Sequence, residues 1–351
     1  MLALAGIPLG FRFRFLEPNP EPSVRDLGEV VQGSYDDPTA LESFGAGLDV
    51  ATYEFENVPA DALRRLEPRV PVFPPPGILA LTQDRLSEKE GFDRLGIPTT
   101  SYRPVDVRSD LERGLDELGV PAILKTRRFG YDGKGQILIR DRAEADSAWS
   151  RIGGPPLLLE GFVRFRRELS LIAARGRDGT TVMYPLVENR HEEGILVLSR
   201  APAQNVSPAF QGEAEALALR LLEDQSYVGV LALELFDTED GLLANEVAPR
   251  VHNSGHWTQN GAKICQFENH LRAISGLPLG SAAAEGFSGM VNLLGKLPDR
   301  AGVLALSGTH LHLYGKSPRP GRKLGHINVR GSSPGELESR LGSLLEVLGE
   351  K

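Results

Sequence analysis

The length, charge and cysteine content of the sequence exclude several classes of protein. The chain has 351 residues, more than one hydrophobic core usually supports, so we expect two or three domains. A formal net charge of −8 argues against general binding of nucleic acid or anionic membranes. The single cysteine excludes an intramolecular disulfide, and no apolar run is long enough to span a bilayer. We therefore expect a cytoplasmic protein that acts on small molecules.

Residues 1–80 alternate helix and strand patterns. The opening MLALAGIPLGF lacks the basic start of a signal peptide and is typical of a helix end. The following patterns predict strands over residues 11–17, 28–33 and 48–55, and helices over residues 38–44 and 59–66. This order is typical of an α/β domain with a parallel sheet, and the proline-rich segment 71–77 has the composition of a linker.

A second region, residues 81–290, starts with an amphipathic helix pattern over residues 81–96 and contains a glycine-rich loop. Short strand patterns flank this loop, which holds Gly130, Gly133 and Gly135 among basic residues. Glycines let backbone N–H groups approach a phosphate closely, so we expect a lid over a nucleotide. Lys125 ends the strand before the loop, where it could reach a phosphate. The alternative is an ordinary glycine-rich hairpin.

Residues 157–175 suggest a strand that leaves one sheet and a second strand that starts another. The pattern LLLE ends at Gly161, and RELSLIAA follows. Backbone groups at such an exit can bind an adenine edge, while Glu160 and Glu168 could accept hydrogen bonds from the adenine amine or the ribose. This pattern is a weak signal when taken alone.

Residues 230–247 contain two strand patterns joined by an acidic turn, with a glutamate on each strand. Pairing around the turn brings Glu234 and Glu246 opposite each other or one diagonal step apart, with roughly 5–8 Å between Cβ atoms. Regular alternation predicts Glu246 on the face of Ala244 and Leu242. Two facing carboxylates predict a Mg²⁺ site, since this ion takes carboxylates together with water and phosphate oxygens. The alternative is two solvated glutamates on an exposed sheet face.

The remaining region, residues 291–351, is predicted to be a small domain. It contains LHLYGK, PGRKLGHINV and a helix pattern from Pro334 to Gly349.

Several segments, in order along the chain, resemble the signature of one enzyme family. They are YEFENVP (53–59), QDRLSEK (83–89), LKTRRFGYDGKGQ (124–136), NEVAPRVHNSGHWT (245–258), VNLLG (291–295), and LHLYGK with PGRKLGH (311–326). Together they resemble the N5-carboxyaminoimidazole ribonucleotide synthases, ATP-grasp ligases of bacterial and fungal purine biosynthesis. The resemblance implies an α+β protein with an ATP-grasp fold. An N-terminal α/β domain (1–80, Rossmann-like, of the biotin-carboxylase type) would precede the ATP-grasp domain (81–290) and a small C-terminal domain (291–351).

The resemblance also implies a reaction and an ATP site. ATP would activate bicarbonate as carboxyphosphate, and the exocyclic amine of 5-aminoimidazole ribonucleotide would capture the carboxyl group with release of ADP and phosphate. Mg²⁺ would bind Glu234 and Glu246. Matching the motifs assigns the following residues to ATP: Arg85, Lys125, Gly130, Tyr131, Asp132, Gly133, Lys134, Gly135, Gln136, Glu160, Gly161, Phe162, Val163, Glu168, His191, Asn245 and Glu246.

Carboxyl transfer is assigned to residues just beyond the acidic hairpin. The planar fork of Arg250 suits bicarbonate or carboxyphosphate. His252 could orient the substrate amine or assist proton removal. The resemblance adds Tyr131 and Asp132 to the catalytic residues, and Glu54, Asn253, Lys316, Arg322 and Lys323 to the ribonucleotide site, the last three for its 5′-phosphate.

The start of the sequence departs from the family pattern. The family begins with a strand and a glycine-rich turn, and Met1 matches the methionine that closes that turn. Without this strand a neighbouring strand edge would be exposed, so we expect lower stability and poor ribonucleotide binding.

Two alternatives stay open at this point. Another ATP-grasp ligase, such as a formate-dependent transformylase or biotin carboxylase, would share the carboxylate pair, but YEFEN and HNSGHW argue against it. The chain could also be a nucleotide-binding protein that is inactive without the missing start. For the active enzyme, the resemblance suggests a homodimer.

Overall fold

The computed structural model describes residues 1–130, 134–152, 154 and 156–349. Its helices are α1 (Leu2–Gly6), α2 (Pro38–Gly45), α3 (Ala60–Leu66), α4 (Pro76–Thr82), α5 (Arg85–Arg94), α6 (Arg108–Leu118), α7 (Ala145–Ile152), α8 (Pro208–Asp224), α9 (Thr258–Gly261), α10 (Gln266–Ser275), α11 (Arg300–Leu304) and α12 (Pro334–Leu348). Its strands are β1 (Arg14–Glu17), β2 (Glu29–Gln32), β3 (Tyr102–Val105), β4 (Ala122–Thr126), β5 (Gln136–Ile139), β6 (Leu157–Gly161), β7 (Arg167–Arg175), β8 (Thr181–Met183), β9 (Val187–Glu192), β10 (Ile195–Ala201), β11 (Gly229–Thr238), β12 (Gly241–Ala248), β13 (Phe287–Leu294), β14 (Thr309–Leu313) and β15 (Lys323–Gly331). None of the helices in these ranges combines the length and apolar content needed to cross a bilayer.

The strands in the described ranges form three sheets. β1 and β2 pair in parallel, with Arg14 opposite Glu29. A four-stranded antiparallel sheet has the order β3-β6-β4-β5. The largest sheet has the order β12-β11-β7-β9-β10-β13-β15-β14, and β8 pairs with β7. Helices combined with largely antiparallel sheets make the protein α+β, as predicted.

In the first region, the predicted helices and the first two predicted strands are confirmed as α2, α3, β1 and β2. The strand predicted over residues 48–55 is wrong, because Ala51 forms only an isolated parallel bridge to Val72. The N–H of Ala51 donates to Pro71, and the N–H of Phe73 donates back to Ala51. Prolines on both sides of this contact have no N–H with which to extend the pairing. The chain after Ala51 is therefore a loop.

The helix predicted over residues 81–96 is interrupted. α4 ends at Thr82, and Asp84 becomes the N-cap of α5 by accepting the N–H of Leu86 at 3.0 Å. Aspartate is a preferred N-cap because its carboxylate satisfies a free N–H of the first helical turn. The break therefore gives α5 its own start at Arg85, a predicted site residue.

The chain crosses from the four-stranded sheet to the largest sheet between β6 and β7. β6 ends at Gly161 and β7 begins at Arg167, so the predicted strand exit is confirmed. Leu159 of β6 packs in one apolar cluster, whereas Leu171 of β7 packs in another. A site at this crossing therefore takes residues from two separately packed units.

The last helix packs on the far part of the largest sheet. Leu337, Leu341 and Leu344 of α12 follow helical spacing and are each at most 2% exposed. β13 pairs with both β10 and β15, so the predicted domain boundary between residues 290 and 291 falls inside a strand of a continuous sheet. The division of the chain into 1–80, 81–290 and 291–351 stays a prediction.

Two glycine substitutions should show how the packing of α12 on β13 and the helix propensity of α12 each contribute to the free energy of unfolding. A Cβ added at Gly289 of β13 would lie 2.8 Å from a methyl carbon of Leu341, so Gly289→Ala should destabilise the protein by about 1–3 kcal/mol through overpacking. A Cβ at Gly342 on the exposed side of α12 meets nothing within 4 Å, so Gly342→Ala should stabilise it by about 0.5–1 kcal/mol. Urea unfolding measures both changes, and equal effects would contradict the packing of α12 on β13.

Candidate active site

A β-bulge in the hairpin of β11 and β12 brings the two acidic residues together. One residue of β11, Glu234, lies opposite two residues of β12, Asn245 and Glu246. A bulge inserts one extra residue into an antiparallel pair, bends the strand and re-aims its side chains. The predicted proximity of Glu234 and Glu246 is therefore confirmed, and Asn245 lies beside them.

The bulge also changes the face on which Glu246 lies. The prediction that Glu246 shares a face with Ala244 and Leu242 is wrong. Ala244 pairs with Leu235, and both pack with Leu242 in an apolar core. Because side chains alternate with a period of two, one extra residue reverses the alternation. Glu246 therefore lies on the face of Glu234, away from that core.

Glu234 is a largely buried carboxylate with polar neighbours. Its side chain is 14% exposed, and His252 Nε2 lies 3.5 Å from one of its oxygens. The Asn245 amide donates to the other oxygen at 3.5 Å. Burial, together with the negative charge of Glu246, raises the pKa of Glu234 to about 7. A cation bound nearby would stabilise the ionised form.

Glu246 faces positive charge instead. Arg85 Nη1 lies 3.1 Å from Glu246 Oε2. Burial opposes the ionisation of Glu246, but the charges of Arg85 and Lys125 outweigh it and hold its pKa below the ordinary value. The two carboxylates therefore have opposite electrostatic environments.

The donors at this hairpin suit a hard cation. Two carboxylates and the amide oxygen of Asn245 are ligands of the kind that Mg²⁺ takes, and water or phosphate oxygens complete its coordination. Among the residues that the structure describes, no group of three or more His, Cys, Asp and Glu side chains could hold a metal ion. A metal on Glu234 and Glu246 would therefore take its remaining oxygens from Asn245, water or a bound ligand.

Lys125 and Glu160 form a buried ion pair on the four-stranded sheet. Lys125 Nζ lies 2.6 Å from Glu160 Oε2, and Lys89 Nζ of α5 lies 3.9 Å from Oε1. Burial opposes the ionisation of Glu160, but Lys125 and Lys89 outweigh it and lower its pKa to about 2. An ammonium group has three donors, so Lys125 can bind a phosphate while it keeps Glu160.

Glu168 and His191 form a second pair, on neighbouring strands of the largest sheet. His191 Nδ1 lies 2.6 Å from Glu168 Oε2. Burial lowers the pKa of His191, but the hydrogen bond to Glu168 and the charges of Glu234 and Glu246 outweigh it and raise the pKa. His191 therefore lies within electrostatic reach of the acidic hairpin.

Part of the predicted lid lies beside Arg85. A Cβ added at Gly130 would be 3.5 Å from Arg85 Nη2, and Thr126 donates its N–H to the carbonyl of Gly135 at 2.8 Å. Gly135 has a φ of +72°, which glycine adopts readily. Lys134 follows the gap in the described residues, and Gln136 begins β5. The predicted lid residues Tyr131, Asp132 and Gly133 lie outside the described residues.

The predicted adenine-binding segment follows β6. The N–H of Gly161 donates to Ser101 at 2.8 Å, and the N–H of Phe162 donates to Pro121 at 3.3 Å. Phe162 is 42% exposed, and Val163 follows it. The carbonyl of Gly161 also accepts from Thr100 Oγ1 at 2.9 Å, so both backbone groups of Gly161 are already hydrogen-bonded within the protein.

The guanidinium of Arg250 is largely held by the protein. Its Nη2 lies 2.9 Å from Glu56 Oε2, and its Nη1 donates to the carbonyl of Val251 at 2.9 Å. Its Nε is buried without a hydrogen-bond partner among the described residues. A buried donor of this kind normally has a partner, so it marks a place where an anion or a water would bind.

His252 is neutral and has a defined tautomer. Burial and the positive charges of Arg250 and Lys323 place its pKa well below the ordinary value. The N–H of Ser254 donates to His252 Nδ1 at 3.3 Å, so the neutral ring carries its proton on Nε2. This Nε2 points to Glu234, 3.5 Å away.

The three predicted phosphate-binding cations lie on the segment from Lys316 to the first residue of β15, and Lys316 interacts electrostatically with the other two. Burial, followed by the charge of Arg322, lowers the pKa of Lys316, and Lys323 adds to this effect. Lys316 Nζ also lies 5.3 Å above the Tyr314 ring, and Arg322 Nη1 donates to Ser317. Adjacent cations repel, so a dianion between them would be stabilised.

Glu54 and Asn253 have protein partners. Glu54 Oε1 accepts the N–H of Leu2 at 3.1 Å. Asn253 and Asn292 exchange amide hydrogen bonds of 3.0 and 2.7 Å. Their predicted contact with the ribonucleotide, like the other site assignments, stays a prediction.

Three residues that contact predicted site residues, Glu88, Lys89 and Glu56, were not predicted from the sequence. Glu56 is the partner of Arg250 and lies in the YEFEN segment. Glu88 and Lys89 are three and four residues after Arg85, so a helix places all three side chains on one face. This helical spacing is visible in the sequence, but an exposed charged helix face has the same spacing. Only the burial of Glu88 and Lys89 in the structure distinguishes the two cases.

Comparison with known proteins agrees with this geometry. The chain matches a ribonucleotide synthetase preATP-grasp domain over residues 1–83, an ATP-grasp domain over residues 90–267, and a phosphoribosylaminoimidazole carboxylase C-terminal domain over residues 288–340.

Curated relatives and solved structures point to the same enzyme. The N5-carboxyaminoimidazole ribonucleotide synthase of Pseudomonas aeruginosa is 47% identical over 344 residues, 98% of this chain and 95% of the relative. The crystal structure of the synthetase from Thermus thermophilus has a TM-score of 0.96 at 56% identity, covering 100% of this chain and 96% of that one. The synthase of Aspergillus clavatus, in complex with ADP and 5-aminoimidazole ribonucleotide, has a TM-score of 0.93 at 30% identity and covers 99% and 95%. This chain therefore belongs to the N5-carboxyaminoimidazole ribonucleotide synthases, the ATP-grasp ligases that carboxylate 5-aminoimidazole ribonucleotide in purine biosynthesis.

Proposed function

We propose that this ligase takes its carboxyl group from bicarbonate and holds Mg²⁺ between the nucleotide phosphates and the carboxylates of Glu234 and Glu246. The observation that carries the proposal is the bulge, which turns both carboxylates and Asn245 to one face. Burial and the charge of Glu246 raise the pKa of Glu234 to about 7, so a metal bound beside it would stabilise its ionised form. Bound Mg²⁺ would neutralise charge on the transferring phosphoryl group.

Two cations near the hairpin, Lys125 and Arg85, would contribute to the nucleotide site. Lys125 would bind a phosphate as a point charge, and Arg85 would hold Glu246 in place while it faces the lid. Glu160 to Val163, Glu168 and His191 would surround the adenosine. Phosphoryl transfer depends mainly on positioning and charge neutralisation, and these residues supply both.

Carboxyl transfer would take place around Arg250 and His252. The unpartnered Nε of Arg250 supports a contact with bicarbonate or carboxyphosphate, although Glu56 holds the outer fork. A neutral His252 with its proton on Nε2 favours the orienting role over proton removal at that atom. Tyr131 and Asp132 of the lid would complete this part of the site.

The cations Lys316, Arg322 and Lys323 would bind the 5′-phosphate of the ribonucleotide, with Glu54 and Asn253 nearby. The mutual proximity of these cations supports this assignment. We further propose the three-domain division given above and assembly as a homodimer, both from the family resemblance.

Replacing either metal-binding carboxylate should remove most ATP turnover without unfolding the protein. Glu234→Gln and Glu246→Gln each take away a negative charge that Mg²⁺ requires. Steady-state ATPase assays over a range of Mg²⁺ concentrations measure the effect. Glu239→Gln, in the exposed turn of the same hairpin, is the matched control. Near wild-type turnover in either site variant at ordinary Mg²⁺ would mean that its carboxylate is not a ligand.

ATP hydrolysis should depend on the predicted co-substrates. It should require bicarbonate and rise when 5-aminoimidazole ribonucleotide is added, whereas formate and biotin should have no effect. A coupled ADP-release assay with each compound alone and in pairs measures this. Stimulation by formate in place of bicarbonate would favour a transformylase.

The two ends of the site should respond differently to mutation. Arg250→Ala and His252→Ala should leave nucleotide affinity largely intact and lower carbamate formation by orders of magnitude. Lys125→Ala should weaken ATP binding, because a phosphate loses a charge-assisted hydrogen bond worth about 1.5–3 kcal/mol.

Titration of a fluorescent ATP analogue, beside a carboxylation assay, separates the two effects. Arg300→Ala, at an exposed position of α11, controls for the loss of a surface charge. Equal loss of nucleotide affinity in all three site variants would contradict this division of the site.

A further inference from the structure

The strand that carries Glu246 lies at an edge of the largest sheet, and other parts of the chain cover that edge. β12 pairs with β11 on one side only. On the other side, Ala244 donates its N–H to Pro98 at 2.7 Å and accepts from Thr99 Oγ1 at 2.7 Å. The segment before β3 therefore supplies the partner for β12 up to the bulge.

At the bulge itself, the partners of the backbone are two buried polar side chains of α5. Lys89 Nζ donates to the carbonyl of Asn245 at 2.8 Å. Glu88 Oε1 accepts the N–H of Val247 at 2.7 Å. These backbone groups lie immediately on either side of Glu246, and Lys89 and Glu88 are adjacent in sequence and 1% and 3% exposed.

Lys89 also connects the bulge to the nucleotide side of the site. Its ammonium donates to Thr99 Oγ1 at 2.9 Å and lies 3.9 Å from Glu160. The buried side chain of Lys89 thus contacts three parts of the protein: the backbone of β12, the segment before β3 that covers the edge of β12, and Glu160, which pairs with Lys125.

A bulge takes backbone groups out of the regular ladder, and a buried backbone group without a partner is strongly unfavourable. Because Glu88 and Lys89 supply those partners, they favour the bulged register over a regular one. A regular register would pair the residues on either side of Asn245 differently and change where the Glu246 carboxylate lies.

We propose that Glu88 and Lys89 are positioning residues of this ligase, which hold the β12 bulge and so aim Glu246 at the metal. The proposal rests on the proposed role of Glu246 in binding Mg²⁺. Neither residue contacts the nucleotide or the metal in this assignment. Their effect passes through the backbone of Asn245 and Val247.

The hydrogen bond from the Val247 N–H to Glu88 Oε1 can be tested with two substitutions of similar size, of which only one keeps an acceptor oxygen. Glu88→Gln retains an Oε1 that can accept the Val247 N–H, whereas Glu88→Met has no such acceptor. We expect Glu88→Met to raise the half-saturating Mg²⁺ concentration for ATP turnover about tenfold, and Glu88→Gln to change it less than twofold. Lys89→Met should act like Glu88→Met, because it removes the donor to Asn245.

A second readout does not depend on activity. Hydrogen exchange followed by mass spectrometry should show faster exchange of peptides covering residues 243–248 in Glu88→Met and Lys89→Met, but not in Glu88→Gln. Glu90→Met, exposed on the same helix, is the matched control and should change neither readout. Reversible unfolding alone would raise the half-saturating Mg²⁺ concentration tenfold only if about a tenth of the enzyme remained folded, and circular dichroism of each variant would detect that loss.

The outcomes separate this proposal from the metal assignment. If Glu88→Met and Glu88→Gln behave alike in both readouts, or if residues 243–248 keep wild-type exchange in Glu88→Met and Lys89→Met, the positioning role is wrong. If Glu246→Gln leaves the Mg²⁺ dependence unchanged, the metal assignment is wrong, while the exchange data still test whether α5 holds the bulge.

Discussion

Two carboxylates held on one sheet face, Glu234 largely buried and Glu246 partly exposed, are the constraint on which the site depends. Like charges in such a place repel and lose hydration, so the surrounding residues must compensate. They do so unequally. Glu246 faces Arg85 and has a lowered pKa, whereas Glu234 is covered mainly by neutral groups and has a pKa raised to about 7. The ionised form of Glu234 is thus the less stabilised of the two, and a cation bound beside it would lower its pKa.

This arrangement needs both packed units of the enzyme. The carboxylates come from the largest sheet, while Lys125 comes from the four-stranded sheet and Arg85 from the helix between them. Movement of one unit against the other would change the distance between the charges directly.

The two ends of the site differ in how firmly their groups are held. At the proposed nucleotide end, Lys125 has one carboxylate partner, and its ammonium group has further donors that could bind a phosphate. At the proposed carboxyl-transfer end, Arg250 is held by Glu56, and His252 is held by Ser254. Fixed donors there suit a reaction that must hold a small, reactive carboxyl donor in one orientation, since orientation is a large part of the catalytic effect.

The sequence by itself determined the family, the order of the elements around the site and the identity of most of its charged residues. Those features depend on local patterns: turn composition around Glu234 and Glu246, glycines in the lid, and motif segments that keep their order. Only the tertiary structure decided the face of Glu246 and the contacts of Glu88 and Lys89 with the backbone beside it. An extra residue in a strand leaves no mark in the alternation of side chains, and a charged helical face has the same sequence pattern whether solvent or a strand edge lies against it.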